Sequence, residues 1–403
     1  MINKYFAVWS LLIPISSVVL FINVKGTLPS YFLCIISIFL SVKYHRDYDF
    51  KCLANILYVI LLLTLFSQLF TLIYDIRMPN LILVDKLDTV TTVFRNTLYS
   101  QGLYLLMGVI TFIFVKSYYN ECWDKWIIYG GEILALYGVW EIIFFLVSGQ
   151  DGDFLSNRWF GAEKDNSFEG VFQQITLGGF TIKRLKSLTG EPSMYAFTML
   201  SYWIYAIHTG RKKVALFLGV TLILSTSTTA FLGIILYLII RCILYRITIK
   251  KLIINSILSL TIFVLLYSYI VDFYNMMVIA KLYAENQSGL ERSANIVDGI
   301  NYMIDCPIIV SLFGLGWGTI RSTDFFTTLL VNTGVIGFCI WSVFVLLPCF
   351  YKGKSYKCEG LKAILIIEYI VMMVGVSEFS YLFYWMFLGI AYKECRGKRE
   401  IYG

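Results

Sequence analysis

Charged residues are scarce in this chain: Asp, Glu, Lys and Arg together make up 15% of its 403 residues, whereas apolar residues make up 58%. So small a charged share leaves too little polar surface to cover a soluble domain of this length. The apolar runs that recur from end to end are about 15–23 residues long, near the ~20 that a helix needs to cross a ~30 Å hydrocarbon core. No alternating strand pattern competes with them. The sequence therefore predicts an all-α, polytopic membrane helical bundle.

Histidine is rarer still, because only His45 and His208 occur. Both fall on the side predicted below to be cytoplasmic, which excludes a Ser-His or Cys-His nucleophile and a His-based metal site on the outward face. Of nine cysteines, only Cys306 falls in an outward loop, which excludes a disulfide framework there within this chain. No glycine-rich phosphate loop occurs, so a cytoplasmic nucleotide is not expected to power the protein. Asp151 and Asp153 form an isolated pair, which we interpret as solvated loop charge rather than as a metal site.

Twelve spans are predicted within one integral membrane domain that covers residues 1–403. They lie near residues 5–24, 28–42, 52–74, 98–115, 126–148, 191–208, 214–225, 229–240, 252–271, 326–349, 363–377 and 380–392. The first run is interpreted as a retained span, because no small-x-small cleavage site follows it. Lys and Arg are concentrated in the connections that share a side with the N-terminus, so both termini are predicted to be cytoplasmic. Two long loops, 149–190 and 272–325, then face outward.

Two predicted helix pairs are short. Residues 214–240 lie between basic flanks, and one long helix there would invert every later loop, so two passes are the better interpretation. Each pass has about 12 residues, or ~18 Å, against a core of ~30 Å. The turns at residues 225–229 and at Ser377–Ser380 would then lie below the outer membrane surface. We expect these polar turns to line an outward-facing depression; the alternative is that their hydroxyls bond only their own backbone.

The loop at 149–190 is rich in cations. Its basic residues include Arg158, Lys164, Lys183, Arg184 and Lys186. The loop ends at Glu191-Pro192, and proline suits the first turn of a helix, so Glu191 is predicted at the N-cap of the sixth span. Cations beside a helix N-terminus would bind a diphosphate. The alternatives are that the cations are simply solvated and that Glu191 only stabilises the helix end.

The loop at 272–325 carries apolar residues at near-helical spacing, namely Leu290, Ile296, Val297, Ile300 and Ile304. This spacing predicts an amphipathic helix that lies on the membrane or against the bundle, with Arg292 able to point off it. The glycines of the segment 313–318 allow close backbone approach, and this segment leads to Arg321 and to Asp324, just before the tenth span. Within the spans, Glu132, Glu141 and Glu368 are costly in lipid and are expected to face the bundle interior.

These features together resemble the O-antigen polymerase (Wzy-type) family. The resemblance rests on Arg184 with Ser187, on Gly190-Glu191-Pro192-Ser193 opening a span, and on a later set of residues. That set is Arg292, Gly314-Leu315-Gly316-Trp317-Gly318, Asp324 and Gly334-Val335-Ile336-Gly337. The resemblance covers about residues 181–200 and 289–338 in sequence motif, and the whole chain in topology. The related O-antigen ligases usually carry a His-Asn pair where this chain has Thr323-Asp324, which favours a polymerase.

The resemblance implies a GT-C-like glycosyltransferase of the bacterial inner membrane, with its active site on the periplasmic face. It implies transfer of a growing glycan from undecaprenyl diphosphate to the non-reducing end of an undecaprenyl-diphosphate-linked repeat unit. The reaction would need no metal and no cofactor. The implied partners are the lipid-linked oligosaccharide and polysaccharide, membrane lipid and a chain-length regulator protein. Nucleic acid is not among them, since the net charge of +7 fits cytoplasmic anchoring beside anionic lipid.

Four residues are predicted to be catalytic. Arg184 and Arg292 would bind the diphosphate, and Glu191, or as second choice Asp324, would orient or deprotonate the sugar hydroxyl. The alternative for Glu191 is a structural ion pair with Arg184. The predicted substrate-binding residues are Arg158, Lys183, Lys186, Arg321, Gly316 and Trp317.

Two other functions fit the same features in part. An O-antigen ligase would share the fold and the donor but would use lipid A core as acceptor. A lipid-linked oligosaccharide flippase also has about twelve spans and buried charge, but it would not need the two long outward loops.

Overall fold

A computed structural model describes residues 1–21, 26–78, 81–155, 174–177, 180–245 and 287–396, with the backbone alone at 175–177, 180–181, 244–245 and 287–292. This part of the chain is mostly helical, and its α-helices are α1 Ile2–Leu12, α2 Pro29–Lys43, α3 Phe50–Ile73, α4 Asn96–Tyr118, α5 Asp124–Ser148, α6 Pro192–His208, α7 Lys212–Leu224, α8 Thr228–Tyr245, α9 Gln287–Asp305, α10 Ile308–Phe313, α11 Phe325–Leu346, α12 Tyr356–Gly375 and α13 Leu382–Glu394. One antiparallel hairpin joins β1 Gln174–Leu177 to β2 Phe180–Lys183.

Four helices in the described residues are long and apolar enough to cross a membrane. They cover Phe50–Ile73, Asn96–Tyr118, Glu121–Ser148 and Phe325–Phe350, and the shorter Pro29–Lys43 and Thr228–Ile243 are also apolar. Eleven of the twelve predicted spans coincide with a helix over most or part of their length, and the predicted span at 252–271 lies outside the described residues. The helical class of the fold is thus confirmed, and the apolar helices are compatible with a membrane protein.

The predicted first span is wrong as a continuous helix. Helix α1 ends at Leu12, and residues 15–21 are irregular. Pro14 lacks the backbone N–H that would continue the helix, so an apolar run alone does not carry the helix onward. The backbone N–H groups of Ser16 and Ser17 instead donate to the carbonyl of Leu188 at 3.2 and 3.1 Å.

The two short helix pairs are present as helical hairpins. Helix α7 returns along α6, since the Tyr195 hydroxyl donates to the Thr221 hydroxyl at 2.7 Å, and α8 then runs back beside α6 and α12. Helix α13 lies at the centre of the bundle, with every residue from 382 to 391 buried. Because α13 is apolar on all its faces, burial on all sides is the stable arrangement.

The bundle has a loop-rich end and a basic end. At the loop-rich end, the backbone of residues 82–84 bonds that of residues 319–321, and the Tyr31 hydroxyl donates to the carbonyl of Ser380. At the basic end, Lys116 pairs with Asp49 at 2.8 Å and Lys357 pairs with Asp124 at 2.6 Å. Each end is thus tied together across several connections.

A helix, α9, is present where the amphipathic helix was predicted, and it packs against α11. Gly299 is buried at this contact, and a Cβ at its position would clash with the Thr327 methyl group. Val297 and Ile304 are 53% and 72% exposed, so the apolar face is only partly covered by the protein. The hairpin of β1 and β2 was not predicted.

Candidate functional site

A polar hollow of about 120 Å³ opens at the loop-rich end. Several separate parts of the chain line it, among them the start of the chain around Ser16 and Tyr31, helix α4 at Gln101 and Tyr104, the segment Trp317–Arg321 and the turn Ser377–Tyr381. The turn is the tip of the last helical hairpin, which was expected to line an outward depression. This tip does line the hollow.

The tip of the other short hairpin does not line the hollow. Ser225 and Ser227 are 0% and 1% exposed, and the Ser225 hydroxyl donates to the carbonyl of Leu222. The backbone-bonding alternative therefore describes Ser225, whereas the depression hypothesis describes the turn at 377–380.

An ion pair of Arg321 and Glu378 lies in the wall of the hollow. The Arg321 side chain is 50% exposed, whereas that of Glu378 is 8% exposed. The Ser380 hydroxyl donates to Glu378 Oε2 at 3.1 Å. A guanidinium group that is half open to solvent keeps donors for a second anion, and it binds phosphate or carboxylate in a bidentate manner. The sequence predicted Arg321 as a substrate-binding residue but did not single out Glu378 for a role.

Aromatic and hydroxyl side chains complete the hollow. The Trp317 ring packs edge-on against Phe379, with 4.6 Å between the ring centroids, and its indole N–H donates to the carbonyl of Gln101 at 3.2 Å. Ser16 and Tyr381 contribute buried hydroxyl groups that lie close enough to interact with each other. The hollow is thus a polar site with an aromatic wall.

The glycine segment before Arg321 supports the hollow through its backbone. Helix α11 breaks at Gly334, where φ is 66° and ψ is −175°, so the carbonyls of Val331 and Asn332 are free to accept bonds from outside the helix. The N–H groups of Leu315 and Gly316 donate to these two carbonyls at 2.9 Å each. A broken helix within an apolar span is stable only where neighbouring groups satisfy its backbone.

Of the two predicted substrate-binding residues in this segment, Trp317 lines the hollow and Gly316 does not. A Cβ at Gly316 would meet the side-chain amide of Gln68, so this residue provides close packing, while Trp317 provides the wall of the hollow.

Asp324 is a helix cap. It is 1% exposed, its Oδ1 accepts from the Thr327 N–H at 2.6 Å, and its Oδ2 accepts from the Ser322 hydroxyl at 2.7 Å. Both oxygens are thus bonded at the start of α11, where a carboxylate also favours the helix dipole. The catalytic role predicted for Asp324 stays a prediction, and the structure shows that both of its carboxylate oxygens are already bonded.

Glu191 and Arg184 are not among the residues that line the hollow. Glu191 occupies the N-cap position of α6 and Pro192 the first helical position, as predicted, although the Glu191 side chain makes no capping bond. The Ser193 hydroxyl donates to Glu191 Oε2 at 3.2 Å. Arg184 donates to the hydroxyl and the carbonyl of Thr226, both at 3.1 Å. Burial lowers the pKa of Arg184, and the Glu191 carboxylate acts in the opposite direction, so the two charges are close enough to interact.

Lys183 and Lys186 belong to a buried ion cluster away from the lining of the hollow. Lys183 contacts Asp151 and lies 3.9 Å from Glu141 Oε2, while Lys186 lies 2.9 Å from Asp153 Oδ2. The Lys183 and Lys186 side chains are 0% and 2% exposed. Asp153, at 5% exposed, is not the solvated charge that the sequence suggested. The cluster fixes β2 and residues 183–187 on α5.

The side chains of two predicted cations lie outside the described part of the chain. Arg292 lies in α9, where the structure describes only its backbone, and Arg158 lies outside the described residues. Glu141 and Glu368 are fully buried, as expected, and Glu368 accepts from the Ser201 hydroxyl at 2.6 Å. Among the described residues, no group of three or more His, Cys, Asp or Glu side chains could hold a metal ion.

No protein-family model matches the chain, and no curated protein matches it. The functional assignment therefore depends on the residues of the hollow and on their geometry.

Proposed function

We propose that the chain is a polymerase of lipid-linked oligosaccharide repeat units, of the O-antigen polymerase type, in the bacterial inner membrane. In this proposal it has about twelve spans in a GT-C-like arrangement, both termini are cytoplasmic, and the polar hollow faces the periplasm. The observation that carries the proposal is the Arg321–Glu378 pair in an aromatic-walled hollow at the loop-rich end. A cation next to a carboxylate is what transfer from a glycosyl diphosphate requires.

The reaction is a displacement at the anomeric carbon of the donor. A hydroxyl oxygen of the acceptor sugar forms the new C–O bond, the bond from the anomeric carbon to the diphosphate breaks, and undecaprenyl diphosphate leaves with the electron pair. The hydroxyl proton goes to a carboxylate. Arg321 would stabilise the charge that builds on the diphosphate. The diphosphate would compete with Glu378 for Arg321, which frees the Glu378 carboxylate to orient the hydroxyl and accept its proton.

Arg184 and Glu191 take a flanking part in this proposal. Glu191 interacts electrostatically with both Arg184 and Tyr381, and Tyr381 lines the hollow. A second phosphate or a charged sugar near Glu191 would therefore also be near Arg184. Lys183, Lys186 and Asp324 are given structural parts, because their charges are already paired or bonded in buried positions.

The test is complementation of a strain that lacks the gene, followed by electrophoresis of its surface polysaccharide. Arg321→Ala and Glu378→Gln are each expected to reduce polymer formation by about 10²-fold or more. Arg77→Ala, an exposed arginine at the same end, and Glu121→Gln, an exposed glutamate at the basic end, serve as matched controls and are expected to retain full activity.

The product that accumulates separates the three functions. Loss of a polymerase leaves single repeats on the surface lipid, loss of a ligase leaves polymer on the carrier, and loss of a flippase leaves repeats inside the cell. Normal long polymer with a folded Arg321→Ala protein would refute the proposed part of the hollow.

A further inference from the structure

An apolar groove of about 280 Å³ lies beside the polar hollow. Helices α3, α4, α11 and α13 line it, and its apolar surface is supplied by residues such as Ile60, Leu63, Leu105, Trp341 and Trp385. The α3 residues along it extend from Asn55 to Ser67, which is about 18 Å at the helical rise of ~1.5 Å per residue. The groove therefore follows α3 from the loop-rich end toward the basic end.

Among the described residues, the groove is open on the side that faces away from the bundle. Helix α3 is the least buried of the four helices that can cross a membrane, with 17% of its apolar window inside the protein. Asn55 and Ile340 lie at the rim and are exposed, Ile340 to 41%. An apolar groove on the exterior of a membrane-spanning helix pair is accessible to the hydrocarbon chain of a lipid.

The groove and the hollow share two lining residues, Trp317 and Asn332. Asn332 is fixed in place, since its amide donates to the carbonyl of Ile320 at 3.0 Å and accepts from the N–H of Ile320 at 2.9 Å. Trp317 is fixed by its bond to Gln101 and by its contact with Phe379. The apolar groove and the polar hollow thus meet at two side chains that are held in place.

We propose that the groove and the hollow together bind one amphiphile, with a single hydrocarbon chain along α3 and an anionic headgroup at Arg321. The groove is near the lower end of the ~300–1,000 Å³ range of ligand pockets, which suits a segment of one chain rather than the paired chains of a phospholipid. The inference deepens the proposed function, on which its physiological meaning rests, by giving the tail of the lipid carrier a defined place. Binding itself does not depend on the transfer reaction.

The test measures equilibrium binding of radiolabelled undecaprenyl diphosphate to the full-length protein in detergent, with no acceptor present. Leu63→Trp fills the groove and is expected to weaken binding about tenfold or more, because it displaces several buried methylene groups. Leu61→Trp is the matched control, since Leu61 lies on the same helix but is 55% exposed away from the groove. Ile340→Trp fills the groove from the opposite wall, with Val343→Trp, 63% exposed, as its control.

Headgroup and tail are separated by the choice of probe. The affinity for inorganic pyrophosphate, which has no tail, is expected to depend on Arg321 but not on Leu63. The affinity for undecaprenyl diphosphate is expected to depend on both residues. A two-chain phosphatidylglycerol is expected to compete poorly.

Equal affinity of the Leu63→Trp and Leu61→Trp proteins for undecaprenyl diphosphate, or equal competition by phosphatidylglycerol, would overturn the inference. Tight, Leu63-dependent binding without any polymer formation would instead refute the proposed function and leave the lipid site standing.

Discussion

The contact between two glycine backbones at the break in α11 gives a stability prediction of defined size. Gly334 has φ 66° and ψ −175°, and Gly314 has φ 74° and ψ −174°, a region that is essentially restricted to glycine. A Cβ added to Gly334 would lie 2.3 Å from the backbone carbon of Leu312, and one added to Gly314 would lie 2.5 Å from the backbone nitrogen of Gly334. Backbone atoms cannot rotate away as a flexible side chain can.

The substitution Gly334→Ala therefore carries two penalties. The unfavourable backbone conformation costs about 1–3 kcal/mol, and overpacking against a backbone costs about 1–3 kcal/mol more. Gly334→Ala is thus expected to lower the free energy of unfolding by about 2–6 kcal/mol. It should also separate the loop of Leu315 and Gly316 from the carbonyls to which they donate.

Thermal unfolding in detergent, followed by size-exclusion chromatography, measures the effect. Gly102→Ala is the control, because Gly102 lies in the helical part of α4 and a Cβ there meets nothing within 4 Å. Alanine is the better helix former by about 0.5–1 kcal/mol, so this variant should be as stable as the parent or slightly more stable. A thermal midpoint of Gly334→Ala equal to that of Gly102→Ala would refute the close backbone contact.

Three further predictions concern charged and polar groups of the hollow and of the buried positions away from it. Glu141→Gln is expected to lower the free energy of unfolding by about 3 kcal/mol, which is the low end for breaking a buried ion pair, because Lys183 keeps its contact with Asp151. Glu132 is partly exposed, so Glu132→Gln should change the free energy of unfolding by less than about 0.5 kcal/mol. Chemical denaturation measures both variants. Asp324→Asn should retain both activity and stability, because asparagine caps helices as well as aspartate does. Loss of activity of this variant in a polymerisation assay would instead indicate a chemical role for the Asp324 carboxylate. A thiol-specific, membrane-impermeant reagent should label Ser377→Cys faster than the buried Ser227→Cys, and the reverse order would place the hollow elsewhere.

The helices were predictable because apolar run length and charged flanks are local properties of the sequence. Residues 212–245 show this well: basic flanks and a hydroxyl-rich centre predicted two short helices, and α7 and α8 are found there. The end of α1 at Leu12 was missed, because a proline two residues beyond it outweighs a continuous run of apolar side chains. The hairpin of β1 and β2 was missed because its position depends on a distant partner, α5.

The sequence identified individual residues of the site but not which opposite charges would pair. Arg321, Trp317 and the Ser377–Ser380 turn were each identified from the sequence, but nothing local indicated that Glu378 would pair with Arg321, 57 residues earlier in the chain. Lys183 and Lys186 were expected to bind ligand, and the structure shows their ammonium groups beside Asp151 and Asp153. A cation cluster in sequence does not reveal which carboxylates will fold against it, although the nearby Asp151-Gly152-Asp153 was a signal of the right charge.

Trp317 and Asn332 contribute a face to each of two adjacent compartments. A substitution at either position would alter the groove and the hollow in the same step. In the proposed arrangement, preference for tail length and preference for the sugar-bearing end would then be inherited together at these two positions. Independent adjustment of one preference would have to arise farther out, along α3 for the hydrocarbon and around Glu378 for the polar end.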